Sequence, residues 1–207
     1  MVVSWLFAAT ALAGMAGDVR AATVTRLLAF GDSLTSGYGL APADGFTAQL
    51  QIALQQQGLD VEVINAGVAG DTTAGGVSRL DWSLADHPDA VLLELGSNDA
   101  LRALDPAVTR ANLDHLLAAL TGRHIPVLLA GMYAPPNLGS DYAQAFNSIF
   151  PDLARKYGVP LYPFFLDGVA TEPHLNQNDG LHPNTDGVRV VVSKILPSVV
   201  ALVGRHD

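Results

Sequence analysis

Cysteine is absent from the 207-residue sequence, and basic side chains are scarce. The chain has 11 lysine and arginine residues against 20 aspartate and glutamate residues, and its formal net charge is −9. The absence of cysteine excludes disulfides, thiolate nucleophiles and cysteine-ligated metals. Binding to a nucleic-acid backbone requires a basic patch, so we expect no nucleic-acid partner.

Long hydrophobic runs are also missing. The apolar segment at residues 2–13 is too short to span a bilayer. Small and polar residues follow it, with Val19 and Ala21 in a small-x-small pattern. This arrangement predicts a cleaved signal peptide over residues 1–21, and hence a periplasmic or secreted protein without stable membrane insertion. A buried N-terminal helix is the alternative, since no lysine or arginine precedes the apolar segment.

Short apolar runs alternate with helix-length segments from residue 24 onward. Strands are predicted at residues 24–30, 61–64, 90–95, 126–130 and 159–165. Helices are predicted at residues 46–57, 72–84, 106–122, 141–157 and 183–203. Pro151 is expected to kink or split the fourth helix, and Pro197 to weaken the last. Because strands that alternate with helices form parallel sheets, we predict one α/β domain over residues 22–207, a three-layer α/β/α sandwich with a five-stranded parallel sheet of the flavodoxin-like kind.

Polar segments follow three of the predicted strands, with the sequences GDSLTSG, NAGVAGDTT and GSND. Ligands of open parallel sheets bind beyond the carboxyl ends of the strands, so we expect these segments to meet at one edge of the sheet. The first segment is not a phosphate-binding loop, because it lacks a lysine and its glycines match neither phosphate-binding spacing. An ordinary surface turn is the alternative for this segment.

Ser33 lies just past the first strand, where a hydroxyl can face a cleft. Among the six histidines, His182 in Asp-Gly-Leu-His-Pro is the best placed to act as a base, with the loop residue His174 as a rival. In a tight turn, Asp179 can reach Nδ1 of His182 and leave Nε2 free for a serine. A helix-capping turn is the alternative reading of this Asp-x-x-His spacing.

Asn98 and Gly70 follow two other strands and could stabilise a negatively charged oxygen. The Asn98 amide can donate a hydrogen bond to an oxyanion, and Gly70 leaves its backbone N–H unshielded for a ligand. Each also has a structural alternative. An asparagine after a strand often forms an Asx turn or a helix cap, and a glycine before a helix is ordinary.

The four blocks Gly-Asp-Ser-Leu, Gly-Asp-Thr, Gly-x-Asn-Asp and Asp-x-x-His-Pro, in that order, resemble the SGNH (GDSL) hydrolase superfamily. The chain is most similar to its bacterial periplasmic acyl-CoA thioesterase/lysophospholipase and arylesterase branch. The resemblance implies Ser33 as the nucleophile, His182 as the general base and Asp179 as the residue that orients the base. It also implies an oxyanion hole made by the backbone N–H groups of Ser33 and Gly70 and the side chain of Asn98, with no metal or organic cofactor.

The resemblance further implies a monomer acting on short-to-medium acyl or aryl esters, thioesters and lysophospholipids. We expect Leu101, Tyr133 and Leu138 to contact the acyl group, although apolar residues in these loops could instead belong to the core. Ser97 departs from the family, which often has glycine there, and it either adds a donor or crowds the acyl pocket.

Two other functions remain open at this point. A carbohydrate O-acetylesterase is the alternative among enzymes, but it would be expected to expose more tryptophan than this chain's two residues. A non-catalytic flavodoxin-like binding module is the alternative outside enzymes. Such a module would not require Ser33, Asn98, Asp179 and His182 together.

Overall fold

Five strands form one parallel sheet in the computed structural model, which describes residues 24–204. The strands are β1 (Thr25–Gly31), β2 (Val61–Gly67), β3 (Ala90–Glu94), β4 (Val127–Ala130) and β5 (Leu161–Tyr162). Their order in the sheet is β2-β1-β3-β4-β5, and every neighbouring pair is parallel. This is the flavodoxin-like order, and it confirms the predicted fold class. The signal peptide expected at residues 1–21 lies outside the described residues.

Eight α-helices in the described part of the chain cover the two faces of the sheet. They are α1 (Ser33–Ser36), α2 (Phe46–Gln56), α3 (Thr73–Ser83), α4 (Ser97–Leu101), α5 (Pro106–Gly122), α6 (Ser140–Asn147), α7 (Ile149–Tyr157) and α8 (Thr185–Val203). One layer pairs α2 with α8, and the other packs α5 against α3, α6 and α7. Within residues 24–204, no helix has the length and apolar character needed to cross a membrane.

The central strands β1 and β3 explain the apolar runs in the sequence. All five residues of β3 are buried, as expected for a strand covered by helices on both faces. Most of them are aliphatic, but the last is Glu94, whose carboxyl group is fully buried. A buried carboxyl group at the end of an apolar strand needs hydrogen-bond partners, and these lie in the loop after β1.

The outer strands differ in length from the prediction. Strand β2 continues to Gly67, past the expected end at residue 64, because its last residues remain paired with β1. Strand β5 contains only Leu161 and Tyr162 instead of residues 159–165. Prolines flank these two residues, and a proline has no N–H to donate to a neighbouring strand.

Proline also shapes two of the helices. The helix predicted at residues 141–157 is split into α6 and α7, and the break precedes Pro151 by one turn, where the missing N–H would have donated. The last helix begins at Thr185 rather than at residue 183. Its cap is Asn184, whose Oδ1 accepts the N–H groups of the second and third helical residues at 3.0 Å each. The helix continues through Pro197, where we expected a weak point.

Candidate active site

Ser33 is presented by a short turn at the carboxyl end of β1. Asp32 caps helix α1, because its Oδ1 accepts the Leu34 N–H at 3.0 Å. Gly37 ends the helix in the left-handed conformation, with φ of 80°. Ser33 is therefore the first residue of a four-residue helix and is 7% exposed. Its hydroxyl lines the cleft above the sheet edge.

The structure brings Ser33, His182 and Asp179 into one chain of hydrogen bonds. Ser33 Oγ lies 2.9 Å from His182 Nε2. His182 Nδ1 lies 2.6 Å from Asp179 Oδ2. Because a carboxylate can only accept, Nδ1 carries the proton and Nε2 is left to accept the serine proton. This is the arrangement of a serine nucleophile, a general base and an orienting acid.

Asp179 is held in the ionised form by the turn that carries His182. Its Oδ1 accepts the backbone N–H groups of Leu181 and His182 at 2.9 and 3.0 Å, while Oδ2 accepts the imidazole. These hydrogen bonds, the one from the His182 backbone first, lower the pKa of Asp179 to about 2. The turn requires Gly180, whose φ is 70°. Asp179 thus stays charged opposite the imidazole at neutral pH.

The imidazole has a second neighbour that the sequence analysis missed. The Tyr38 ring lies 4.8 Å from the His182 ring, centroid to centroid. Gln177 links the two, because its backbone N–H donates to the His182 carbonyl at 2.7 Å and its side chain donates to the Tyr38 carbonyl at 2.8 Å. The rival base, His174, is exposed and faces Glu172 instead of the serine.

Two backbone N–H groups of the expected oxyanion hole are free to bind a ligand. In the described part of the chain, neither the Ser33 nor the Gly70 N–H donates to a protein acceptor. Gly70 occupies a turn closed by the Asp71 N–H and the Val68 carbonyl at 3.0 Å, and its φ of 78° explains the glycine. Arg102 holds this turn by donating to the Gly70 carbonyl at 2.7 Å.

The Asn98 amide lines the cleft, but its two N–H groups already have acceptors. Nδ2 donates to Asp32 Oδ2 at 3.0 Å and to the Asp71 carbonyl at 2.9 Å. Ser97, the residue that departs from the family, also donates its hydroxyl to Asp32 Oδ2. Ser97 therefore adds a donor to the network around Asp32.

An apolar cleft of about 590 Å³ opens above the serine. Leu101 and Tyr133 line it as expected, and Tyr133 stacks on Phe164 with ring centroids 4.6 Å apart. Leu138, the third residue expected to bind substrate, does not line this cleft and lies half-buried in a neighbouring turn. The residues that line the cleft include Ser33, Leu34, Ser97, Asn98, Leu101, Met132, Tyr133, Phe164, Leu166, Leu181 and His182.

Arg79 connects the loops of the site from behind, and its role was not visible in the sequence. Its Nε pairs with Asp71 Oδ2 at 2.7 Å. Its two terminal nitrogens donate to the carbonyls of Ala66 and Gly31, both at 2.8 Å. Arg79 therefore fixes the ends of β1 and β2 to the loop that carries Gly70. Within residues 24–204, no group of three histidine, aspartate or glutamate side chains is arranged to hold a metal ion.

Comparison with known proteins places this geometry in a family. Residues 29–190 match the GDSL-like Lipase/Acylhydrolase family. An arylesterase from Vibrio mimicus is 41% identical over 162 residues, which cover 78% of this chain and 81% of that protein. The thioesterase 1/protease 1/lysophospholipase L1 of Escherichia coli (strain K12) is 37% identical over 189 residues, covering 91% of this chain and 89% of that protein.

Solved structures agree with these sequence matches. The crystal structure of TesA superposes with a TM-score of 0.82 at 37% identity and covers 86% of this chain and 99% of that one. AlinE4, an SGNH-hydrolase family esterase, is 46% identical with a TM-score of 0.74, covering 86% of this chain and 96% of that one. These findings confirm the resemblance that the four sequence blocks indicated. The chain belongs to the GDSL-like lipase/acylhydrolase family and is a carboxylic-ester hydrolase.

Proposed function

We propose that the chain hydrolyses short-to-medium acyl or aryl esters, thioesters and lysophospholipids through an acyl-enzyme on Ser33. The observation that carries this proposal is the unbroken hydrogen-bond chain from Ser33 through His182 to Asp179, set at an apolar cleft. An ordinary turn or a binding module has no need of this alignment. This geometry supports a distinct role for each of the three residues.

In the first step, His182 Nε2 accepts the Ser33 proton while Oγ attacks the acyl carbonyl carbon. The imidazole becomes positively charged, and the ionised Asp179 stabilises it through Nδ1. Collapse of the tetrahedral intermediate breaks the bond to the alcohol or thiol, which takes the proton from Nε2. Water then attacks the acyl-enzyme by the same route and regenerates Ser33.

Two of the three donors proposed to bind the negative oxygen of each intermediate are already free. The free N–H groups of Ser33 and Gly70 supply two hydrogen bonds without reorganisation. The third comes from the Asn98 amide, whose N–H groups are directed at Asp32 and at the Asp71 carbonyl in the free site. We propose that Asn98 shares one of these N–H groups with the oxyanion when it forms.

The lining of the cleft supports the binding of an acyl or aryl group of the substrate. Its lining is largely apolar, and the stacked Tyr133 and Phe164 rings form a flat aromatic surface. The names of the relatives agree, since they include an arylesterase, an esterase and a thioesterase/lysophospholipase. Trp82, the one tryptophan among the described residues, lies outside this cleft, which gives the carbohydrate alternative no support.

We also propose that the enzyme works as a monomer in the periplasm or outside the cell. The N-terminal apolar segment with its small-x-small pattern supports the location. The exposed apolar side chains away from the cleft support the monomer, because they are distributed over separate elements. They include Val24, Ile52, Trp82 and Val108.

Replacing the nucleophile should abolish hydrolysis. Ser33→Ala is expected to lower kcat on p-nitrophenyl esters by about 10⁴–10⁶-fold, because no other group can form the acyl-enzyme. A fluorophosphonate should label the wild type at Ser33, and mass spectrometry of the labelled peptide checks this. Ser78→Ala is the control, since that hydroxyl bonds within α3. Full activity of Ser33→Ala would refute Ser33 as the nucleophile, and folded protein that is not labelled would favour the binding module.

Removing the Asn98 amide should slow turnover far more than it destabilises the fold. Asn98→Ala is expected to lower kcat by about 10²–10³-fold, the usual effect of losing one oxyanion donor. Steady-state kinetics together with thermal denaturation measure both effects. Asn112→Ala is a matched control, because its amide donates to Thr73 away from the cleft. Equal kcat losses in the two variants would contradict the role of Asn98.

The ionised Asp179 should make a pH-dependent contribution to stability. Its folded pKa of about 2 is below the unfolded value of about 3.9, so the contribution is complete above about pH 4 and is lost as the pH falls towards 2. The gap in melting temperature between wild type and Asp179→Asn should therefore be widest at neutral pH and close towards pH 2. Asp186→Asn, at the exposed start of α8, is the control. A gap that does not change with pH would refute this prediction.

A substrate panel should separate the two esterase classes. We expect hydrolysis of p-nitrophenyl esters of rising chain length and of acyl-CoA, with little release of acetate from acetylated xylan, because the cleft is apolar. Each assay is repeated with Ser33→Ala. Faster turnover of xylan than of the aryl esters would favour the carbohydrate esterase.

One aromatic and one aliphatic variant extend the same substrate panel. Tyr133→Ala should lower kcat/KM on aryl esters by severalfold to about tenfold, because it removes half of the stacked pair. Leu138→Ala should have little effect, because Leu138 does not line the cleft. A larger loss of kcat/KM in Leu138→Ala than in Tyr133→Ala would support the substrate contact of Leu138 that the sequence predicted.

A further inference from the structure

A second carboxyl group lies directly beneath the turn that presents the nucleophile. Glu94 and Asp32 are both 0% exposed. Glu94 Oε2 accepts the Thr35 hydroxyl at 2.7 Å and lies 3.4 Å from the Asp32 backbone nitrogen. The packing is so close that a Cβ atom at Gly31 would overlap both Thr35 Oγ1 and Glu94 Oε2. Glu94 therefore touches the residue before Ser33 and the residue two places after it.

The Glu94 carboxyl lies against the backbone of Asp32, and neither carboxyl group has a cation as partner in the described part of the chain. Within residues 24–204, neither Asp32 nor Glu94 forms an ion pair with a lysine, arginine or histidine. The charge of Asp32 acts on the Glu94 carboxyl group. The other polar groups in contact with the Glu94 carboxyl are the Thr35 hydroxyl and backbone N–H groups. His182 lowers the pKa of Asp32, but it does so less than the three hydrogen bonds to the carboxylate. Two like charges in such a site repel each other, which favours a proton on one of the two carboxyl groups.

Burial raises the pKa of Asp32 as well as that of Glu94, and the hydrogen bonds indicate which carboxyl group keeps the charge. Asp32 accepts three donors, from the Leu34 N–H, the Ser97 hydroxyl and the Asn98 amide. Glu94 Oε2 accepts one short and one long hydrogen bond, and among the described residues its Oε1 has no partner. Burial, followed by the charge of Asp32, raises the pKa of Glu94 well above its ordinary value. A buried oxygen without a donor is far less costly in a neutral acid than in an anion.

We propose that Glu94 is a positioning residue: a neutral carboxylic acid that holds Asp32 and Thr35 on either side of Ser33 and leaves the single negative charge on Asp32. Asp32 in turn caps α1 and holds the Asn98 amide. Glu94 does not line the cleft, so it acts on the reaction only through the placement of these groups. The kinetic consequence rests on the proposed function, whereas the protonation of Glu94 does not.

Two variants of similar size test the positioning role. Glu94→Gln keeps a neutral polar group, and Glu94→Leu removes the acceptor for Thr35. We expect Glu94→Gln to keep kcat within about threefold and Glu94→Leu to lower it by about 10- to 100-fold, the effect of a small misplacement of reacting groups. KM should stay unchanged in both, because the cleft lining is intact. Equal losses in both variants, or full kcat in both, would overturn the proposal.

Thr35→Val tests the same contact from the other side. It serves on its own if Glu94→Leu does not fold, because full kcat in Thr35→Val would then overturn the proposal. It removes the hydroxyl that donates to Glu94 while keeping the shape of the side chain. We expect it to lower kcat at constant KM, and the double variant with Glu94→Leu to be no slower than the slower single variant. Losses that multiply would show that the two residues act separately, and would overturn the proposal. Each kcat is normalised to the fraction of sites that a fluorophosphonate labels at completion.

Infrared spectroscopy tests the proton on Glu94 without using catalysis. At a pH where exposed carboxyl groups are ionised, the wild type should show the carbonyl band of a neutral carboxylic acid. The band should be absent from Glu94→Gln and retained in Asp99→Asn, which removes another buried carboxyl group. A spectrum without the band, or a band that survives in Glu94→Gln, would overturn the proposal. If Ser33 failed to react with fluorophosphonate, the proposed function would fail while this band remained.

Discussion

The carboxylate of Asp32 connects parts of the site that are far apart in the sequence. It caps the helix that begins at Ser33, and it accepts hydrogen bonds from Ser97 and Asn98, which lie more than sixty positions later in the chain. The turn that presents Ser33 and the amide that we propose for the oxyanion hole are therefore held by the same carboxylate. The rest of the structure serves this arrangement, because a buried charge persists only where several donors reach it and its neighbour stays neutral.

The parallel sheet is what allows donors from distant segments to reach one point. Strands β1, β2 and β3 are adjacent, and each ends at the same edge with a loop that carries one part of the site. Arg79 then ties the ends of β1 and β2 to the Gly70 loop through three hydrogen bonds. The loops carry the reactive groups. These groups are aligned by the register of the strands, which changes little when a loop residue is replaced.

The fold class and the Asp179–His182 pair were predictable because they depend on local patterns, whereas the meeting of Ser33 with His182, 149 positions away, followed from the family resemblance. Alternating apolar runs indicate a parallel sheet, and an Asp-x-x-His turn is short enough to judge from spacing. The network of Asp32, Glu94 and Arg79 depends on which side chains point inward at the end of a strand, and spacing does not give that. The signal for this network in the sequence was Glu94, a glutamate at the end of an apolar strand. The predicted place of Leu138 was wrong for the same reason, whereas the bounds of β5 were wrong because prolines flank its two residues.

The hydrogen bond from Ser33 to His182 joins residues 149 positions apart, close to the two ends of the described chain. A chain synthesised from its N-terminus carries the proposed nucleophile long before the proposed base. Hydrolysis therefore has to wait until the last turn has emerged and α8 has docked against α2. With this arrangement, an unfinished chain does not hydrolyse the esters around it, and turnover indicates that the domain has folded.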